Sequence, residues 1–102
     1  MSKFGLDTKT ITAITCILHK YTTITKVIIF GSRATGTYKR ASDIDLAIWV
    51  AAPSNVRTVI SKLYQDLEES TIPYTFDILD YNSITNAKLR DEIDKFGQLF
   101  YE

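Results

Sequence analysis

Asp43 and Asp45 stand one residue apart in the run DIDLAIWV, a carboxylate pair at a spacing suited to hard-cation chemistry. Alternate side chains of an extended strand share a face, which sets their Cα atoms roughly 6.5–7 Å apart. Without a partner, two carboxylates that close raise each other's pKa and resist burial. A divalent cation removes the conflict, and magnesium takes oxygen ligands while keeping places for water and phosphate. An isolated D-x-D more often caps a turn or faces solvent. Here LAIWV continues the strand, so the acids stand at the mouth of a core element with Ile44 anchored between them, and this context favours the metal.

Asp77 is a third candidate ligand, embedded in the apolar run YTFDILDY. Acids are depleted in strands and costly in cores, so an embedded one needs a reason. If its strand lies beside the second, three carboxylates converge on one or two cations, and Asp77 can also accept a proton from an attacking hydroxyl. The competing reading, a surface aspartate on an edge strand, suits Asp80 better. Gly31-Ser32 follows KVIIF directly. A glycine there allows close backbone approach to a phosphate, which N–H groups and the serine hydroxyl can hold. An ordinary strand-to-turn junction has the same residues, so the pair alone proves little. The segment has neither the Lys-Ser/Thr of a Walker loop nor the glycine spacing of a dinucleotide fingerprint.

Arg33, Lys39 and Arg40 are placed to offset phosphate charge, Arg33 first among them, with solvated loop cations as an equal alternative. Thr37 and Tyr38 share their loop. His19 reads as a surface or boundary residue of a helix and Trp49 as core. Cys16, with no basic partner nearby in sequence, reads as a small helix residue rather than a nucleophile.

The elements that must carry these residues are legible from periodicity. Residues 7–21 form an amphipathic helix, capped by Asp7 or Thr8, with Ile11, Ile14, Ile17, Leu18 and Tyr21 at helical spacing. Its threonines weaken helix propensity, so packing must hold it. Residues 26–30 and 43–50 are strands, joined by a polar connection with room for one helical turn. Pro53 and Ser54 open a second helix that ends near Ser70, before Pro73. A third strand covers 74–81, and a last helix runs from about Ser83 to Phe96. Gly97 suits the left-handed position that closes many helices, and QLFY, 98–101, adds a short strand. The order is α-β-β-α-β-α-β, an α/β unit.

A chain of 102 residues favours one domain spanning 1–102, since domains commonly hold roughly 100–150 residues. Apolar residues at 45% and charged residues at 24% are ordinary for a globular protein and argue against disorder. Lys plus Arg equals Asp plus Glu at twelve each, which argues against broad capture of nucleic acid or anionic membrane. A single cysteine excludes an intrachain disulfide and fits a reducing cytosol. Neither a signal-peptide pattern nor a membrane-spanning apolar run is present, so a cytoplasmic location is expected.

The stretch GSRATGTYKRASDIDLAI resembles the signature of the minimal nucleotidyltransferase family, a branch of the DNA polymerase β-like superfamily. Phe30-Gly31-Ser32, Asp43-Ile44-Asp45 and Phe76-Asp77 match its three parts, and Arg33, Ala34, Gly36 and Ser42 match positions common in this branch. The closing helix, Gly97 and Leu99-Phe100-Tyr101 resemble the family's C-terminal end. The resemblance implies a nucleotidyltransferase fold: a mixed, mainly antiparallel sheet of about four strands with helices packed on one side. It implies that Gly31, Ser32, Arg33 and Ser42 hold a nucleoside triphosphate, expected to be ATP. It also implies that Asp43, Asp45 and Asp77 bind one or two Mg2+ ions, and that Asp77 helps activate an acceptor hydroxyl.

Family members of this size are often paired with HEPN-type ribonuclease toxins, as antitoxins that adenylylate the toxin. The expected partner is therefore a HEPN-type toxin subunit, or a second copy of the chain, completing a site too small to grip its acceptor alone. Two other readings stay open: a binding antitoxin with a vestigial nucleotide site, and a transferase acting on a small-molecule acceptor.

Overall fold

The computed structural model describes residues 2–52 and 55–102. Helix α1, Thr8–His19, starts where Asp7 accepts a hydrogen bond from Thr10 N at 2.8 Å, as its sequence suggested. Packing offsets the weak propensity of its threonines, with Ile14, Ile17 and Leu18 all buried. Strand β3, Ile24–Phe30, is followed by a single helical turn, α2, at Ser32–Thr35, and then by β4 at Ile44–Val50. Asn55 caps α3, Val56–Glu69, by accepting from Thr58 N at 3.2 Å. Pro53 and Ser54, expected at the start of this helix, lie outside the described residues.

Strand β5 covers Phe76–Asp80 and leads through a 3-10 turn at Tyr81–Ser83 to helix α4, Ala87–Phe96. The expected helix start near Ser83 is thus taken by a separate turn, because Asp80 caps it by accepting from Asn82 N and Ser83 Oγ. Asn86 then caps α4, accepting from Lys88 N and Leu89 N. Strand β6, Gln98–Tyr101, closes the sequence. A short hairpin of β1, Ser2–Lys3, and β2, Leu6–Asp7, precedes α1 and was not foreseen.

The main sheet runs in the order β5-β4-β3-β6. β3 is antiparallel to both β4 and β6, whereas β4 and β5 are parallel. This is the mixed, mainly antiparallel four-strand sheet implied by the resemblance. One detail differs: the helices cover both faces. Ile44, Leu46 and Ile48 of β4 pack with Ile14, Leu18, Leu63 and Leu67 of α1 and α3. Ala47, on the opposite face, packs with Phe30 and with Ile93 of α4. A strand apolar on both faces reveals only that two layers exist, not which helix supplies each.

Gly97 corrects a second expectation. Its φ of −64° and ψ of 151° are extended, not left-handed. Glycine is needed there for space: a Cβ would stand 2.4 Å from Ile93 O and 2.6 Å from Ile28 Cγ2. Gly97→Ala should lower unfolding stability by about 1–3 kcal/mol through overpacking, with an unchanged denaturant slope in urea titrations.

Candidate active site

Three strand ends meet at one edge of the sheet. Phe30, the last residue of β3, pairs with Asp45, and the parallel β4–β5 register makes Asp45 and Asp77 direct neighbours. Asp43 sits just ahead of β4, not within it as expected, and accepts a hydrogen bond from Thr75 Oγ1 just ahead of β5. Because these two strands run the same way, residues at their starts fall together.

Asp45 is half-buried, whereas Asp43 and Asp77 are exposed. The Asp45 carboxyl is pushed up from 3.8 to about 6, first by desolvation and then by the charges of Asp77, Asp43 and Glu92. Among the described residues, no three acidic, histidine or cysteine side chains form a ready ligand group. The fit of a cation rests on the donor chemistry instead: hard carboxylate oxygens on neighbouring strands whose mutual repulsion is unrelieved. Protons should compete for those oxygens. Cation affinity, read by Mn2+ titration, is expected to hold above about pH 6 and to weaken progressively below it as Asp45 protonates.

Gly31 lies against this group. Its φ of 75° and ψ of −154° belong to a region essentially restricted to glycine, and a Cβ would stand 2.4 Å from Asp45 Oδ2. The backbone thus passes directly over the carboxylate, and Ser32, half-exposed, begins the α2 turn immediately after it. Gly31 O accepts from Ala34 N and Thr35 N at 3.1 and 3.2 Å, while Gln98 Nε2 donates to Ala34 O at 2.7 Å. Strand β6 therefore steadies the turn from below. Such an arrangement brings the backbone at Gly31 close to a cation-suited carboxylate group with a serine next in sequence, a combination that can hold a polyphosphate.

Ser42 and Arg33 have different surroundings from those expected. Ser42 Oγ accepts from Lys39 N at 2.8 Å, closing the turn that leads into Asp43. Arg33 is buried, only 2% exposed, and its donors go to carbonyl oxygens rather than to open space. Lys39 and Arg40 are exposed.

Two neighbours of the acids were missed in the sequence. Thr75 lies two residues before Asp77 and shares its face by strand alternation. Glu92, exposed on α4 one residue before the buried Ile93, is near enough for its charge to raise the Asp45 pKa. Both signals become readable only once β5 and α4 are known to flank β4.

Comparisons with known proteins agree with this geometry. A family model described as polymerase beta, nucleotidyltransferase, matches residues 12–102. Among solved structures, the chain is similar to one in a toxin–antitoxin complex with AMP-PNP, at 25% identity and a TM-score of 0.71, covering 88% of this chain and 71% of that one. It is similar to a chain of the toxin–antitoxin MntA–HepT at 20% identity and a TM-score of 0.66, covering 92% and 71% respectively. For a complex of tri-AMPylated Shewanella oneidensis HEPN toxin with MNT antitoxin, the values are 20%, 0.65, 90% and 69%. The last two likenesses speak for the fold alone. No curated protein matches the chain. With a family model spanning all but its first eleven residues, and with Gly31, Ser32 and the strand-end carboxylates arranged as described, the chain belongs to the polymerase beta nucleotidyltransferase family.

Proposed function

We propose that this nucleotidyltransferase is magnesium-dependent, moves AMP from ATP to a hydroxyl of a partner protein, and serves as the antitoxin of a HEPN-type toxin. The observation that carries the chemistry is the pairing of Asp45 with Asp77 beside Gly31. Support for the partner comes from the similar chain at 25% identity, which occurs in a toxin–antitoxin complex with AMP-PNP. Residues 1–102 act in this reading as one catalytic unit working in the cytoplasm, and the partner, or a second copy, supplies the rest of the acceptor site.

Gly31 and Ser32 hold the triphosphate, with Ser42 shaping the adjoining loop. Asp43, Asp45 and Asp77 are the magnesium ligands, for one or two ions. Bound there, magnesium supplies Lewis-acid neutralisation of the triphosphate. The acceptor oxygen attacks the α-phosphorus and its proton passes to Asp77. The new P–O bond forms as the bond to the pyrophosphate oxygen breaks, and pyrophosphate leaves. Orientation and charge neutralisation account for most of the acceleration, since no covalent enzyme intermediate is needed.

The test is transfer of label from each α-labelled nucleoside triphosphate, with magnesium, to a HEPN-type partner. Label on the partner from ATP that vanishes with Asp43→Asn is the expected result. Neutralisation of the partner with no label from any nucleotide would establish a binding antitoxin instead.

A further inference from the structure

We propose that Arg33 is a positioning residue, a strut that fixes the spacing between the phosphate-facing turn and Asp43 without touching the nucleotide; the proposal rests on the nucleotidyl-transfer reading above. Its guanidinium is wholly inside the protein. Nε and Nη2 both donate to Ser42 O, at 3.1 and 2.9 Å, and Nη2 also reaches Arg40 O at 3.3 Å. Nη1 donates to Phe4 O at 3.0 Å. The flat faces are covered by Tyr74 and Tyr38, whose ring centroids lie 4.8 and 5.3 Å away. Among the described residues the side-chain ion pair is Lys95–Asp91, so Arg33 meets no carboxylate.

That geometry is specific. The carbonyl gripped by two donors belongs to the peptide that carries the Asp43 nitrogen, while Arg33 itself follows Ser32 in α2. One side chain therefore links the turn beneath the triphosphate to the first metal-binding acid. A planar fork holds a carbonyl in one orientation, which a lysine ammonium does not. The unforeseen hairpin takes part: Phe4 and Gly5 both have positive φ, and the Tyr38 ring lies so close to Gly5 that a Cβ there would stand 2.2 Å from Cε1. Phe4 is an uncommon residue for that conformation, and the Arg33 bond to its carbonyl helps to hold the turn in place. A buried cation with no acid partner is expensive unless its hydrogen bonds are all well used; here three go to the Arg40 and Ser42 carbonyls of the loop that delivers Asp43 and one to the Phe4 carbonyl of the hairpin.

A phosphate contact and a strut predict different losses. Arg33→Lys keeps the charge and loses the fork. Residues that support metal ligands typically change affinity or activity by about 10–100-fold, so the variant should bind Mn2+ about tenfold more weakly and transfer AMP about 100-fold more slowly. Its AMP-PNP dissociation constant, measured without metal, should move less than about threefold, because Gly31 and Ser32 are untouched. A tenfold or larger loss of AMP-PNP affinity with Mn2+ binding intact would overturn the proposal in favour of a phosphate contact. Unchanged Mn2+ binding and transfer in a folded variant would overturn it as well, leaving Arg33 as packing.

Should Arg33→Lys fail to fold, Tyr38→Leu tests the same strut. Tyr38 is 38% exposed, and its loss loosens one wall of the cage while Arg33 stays. The expected pattern is the same but smaller, roughly three- to tenfold in Mn2+ affinity with AMP-PNP binding kept; loss of AMP-PNP binding alone, or no change in either, would count against it. If the wild-type chain labels no acceptor, the transfer reading fails, while the two binding constants still decide the role of Arg33.

Discussion

Asp45→Asn is expected to slow nucleotidyl transfer by about 10³-fold and, in the absence of metal, to melt at a higher temperature than the wild-type chain. The rate loss follows from removing a charged oxygen from the proposed magnesium site, where the triphosphate charge would be neutralised, an effect worth about 4 kcal/mol of barrier. The stability gain follows first from the partial burial of the carboxyl and then from the charges of Asp77, Asp43 and Glu92. Its folded pKa of about 6 lies above the ordinary 3.8, so the folded chain holds the proton more tightly than the unfolded chain does. Stability owed to this group is therefore fully present below about pH 4 and is lost as pH rises through 6. Asn cannot ionise and escapes that loss.

Asp45 is only half-buried, so the full shift overstates the gain; about 1 kcal/mol at pH 7.5 is a discounted figure, which corresponds to a rise of roughly 4–8 °C. Melting curves at pH 5 and pH 7.5, with and without Mg2+, separate the two effects. The variant's advantage should shrink at pH 5, and Mg2+ should raise the wild-type midpoint more than the variant's. A variant less stable at pH 7.5 without metal would show that favourable contacts of Asp45 outweigh its desolvation and the repulsion of its neighbours. Such a residue, costly to the fold and needed by the chemistry, is a common form of trade between stability and activity.

Gly31→Ala should be the second severe change, with about 3 kcal/mol of stability lost and transfer down by 100-fold or more. Two causes act together. The backbone at φ 75° and ψ −154° strains any residue with a Cβ, and that Cβ would meet Asp45 Oδ2 at 2.4 Å. Pushing the carboxylate away displaces an oxygen of the proposed metal site from the turn proposed to hold the triphosphate. Urea titration of Gly31→Ala in the wild-type and Asp45→Ala backgrounds apportions the two: the backbone strain persists in both, whereas the steric part disappears with the Asp45 side chain. Equal losses in both backgrounds would mean that the contact with Asp45 contributes nothing.

Much of the fold was legible because it is written in short periods. The cap at Asp7, the apolar spacing of α1 and α3, the β-branched runs of β3 and β4, and the apolar face of α4 are local patterns set by propensity and burial. Gly97 shows the limit of such reading. A glycine after a helix has two uses, a left-handed turn or a close approach, and only the position of Ile28 on a distant strand decides between them.

The acids show the same division. Their types, the spacing of Asp43 and Asp45 and the apolar strand that follows favour cation chemistry in the sequence, whereas Gly31-Ser32 only allows a close backbone approach. What a sequence cannot state is that β5 runs parallel to β4 in the register that sets Asp77 beside Asp45, or that Glu92 of α4 comes near enough for its charge to act on Asp45. Arg33 is the sharpest case: its place in the motif suggested a phosphate contact, yet its donors end on Phe4, Arg40 and Ser42 carbonyls between two tyrosines. Local sequence determines which groups are present and which elements carry them, because capping and periodicity act over a few residues. Strand order, the helix assigned to each face and the direction of a buried guanidinium are decided only by the tertiary structure, because they depend on contacts between segments far apart in the chain.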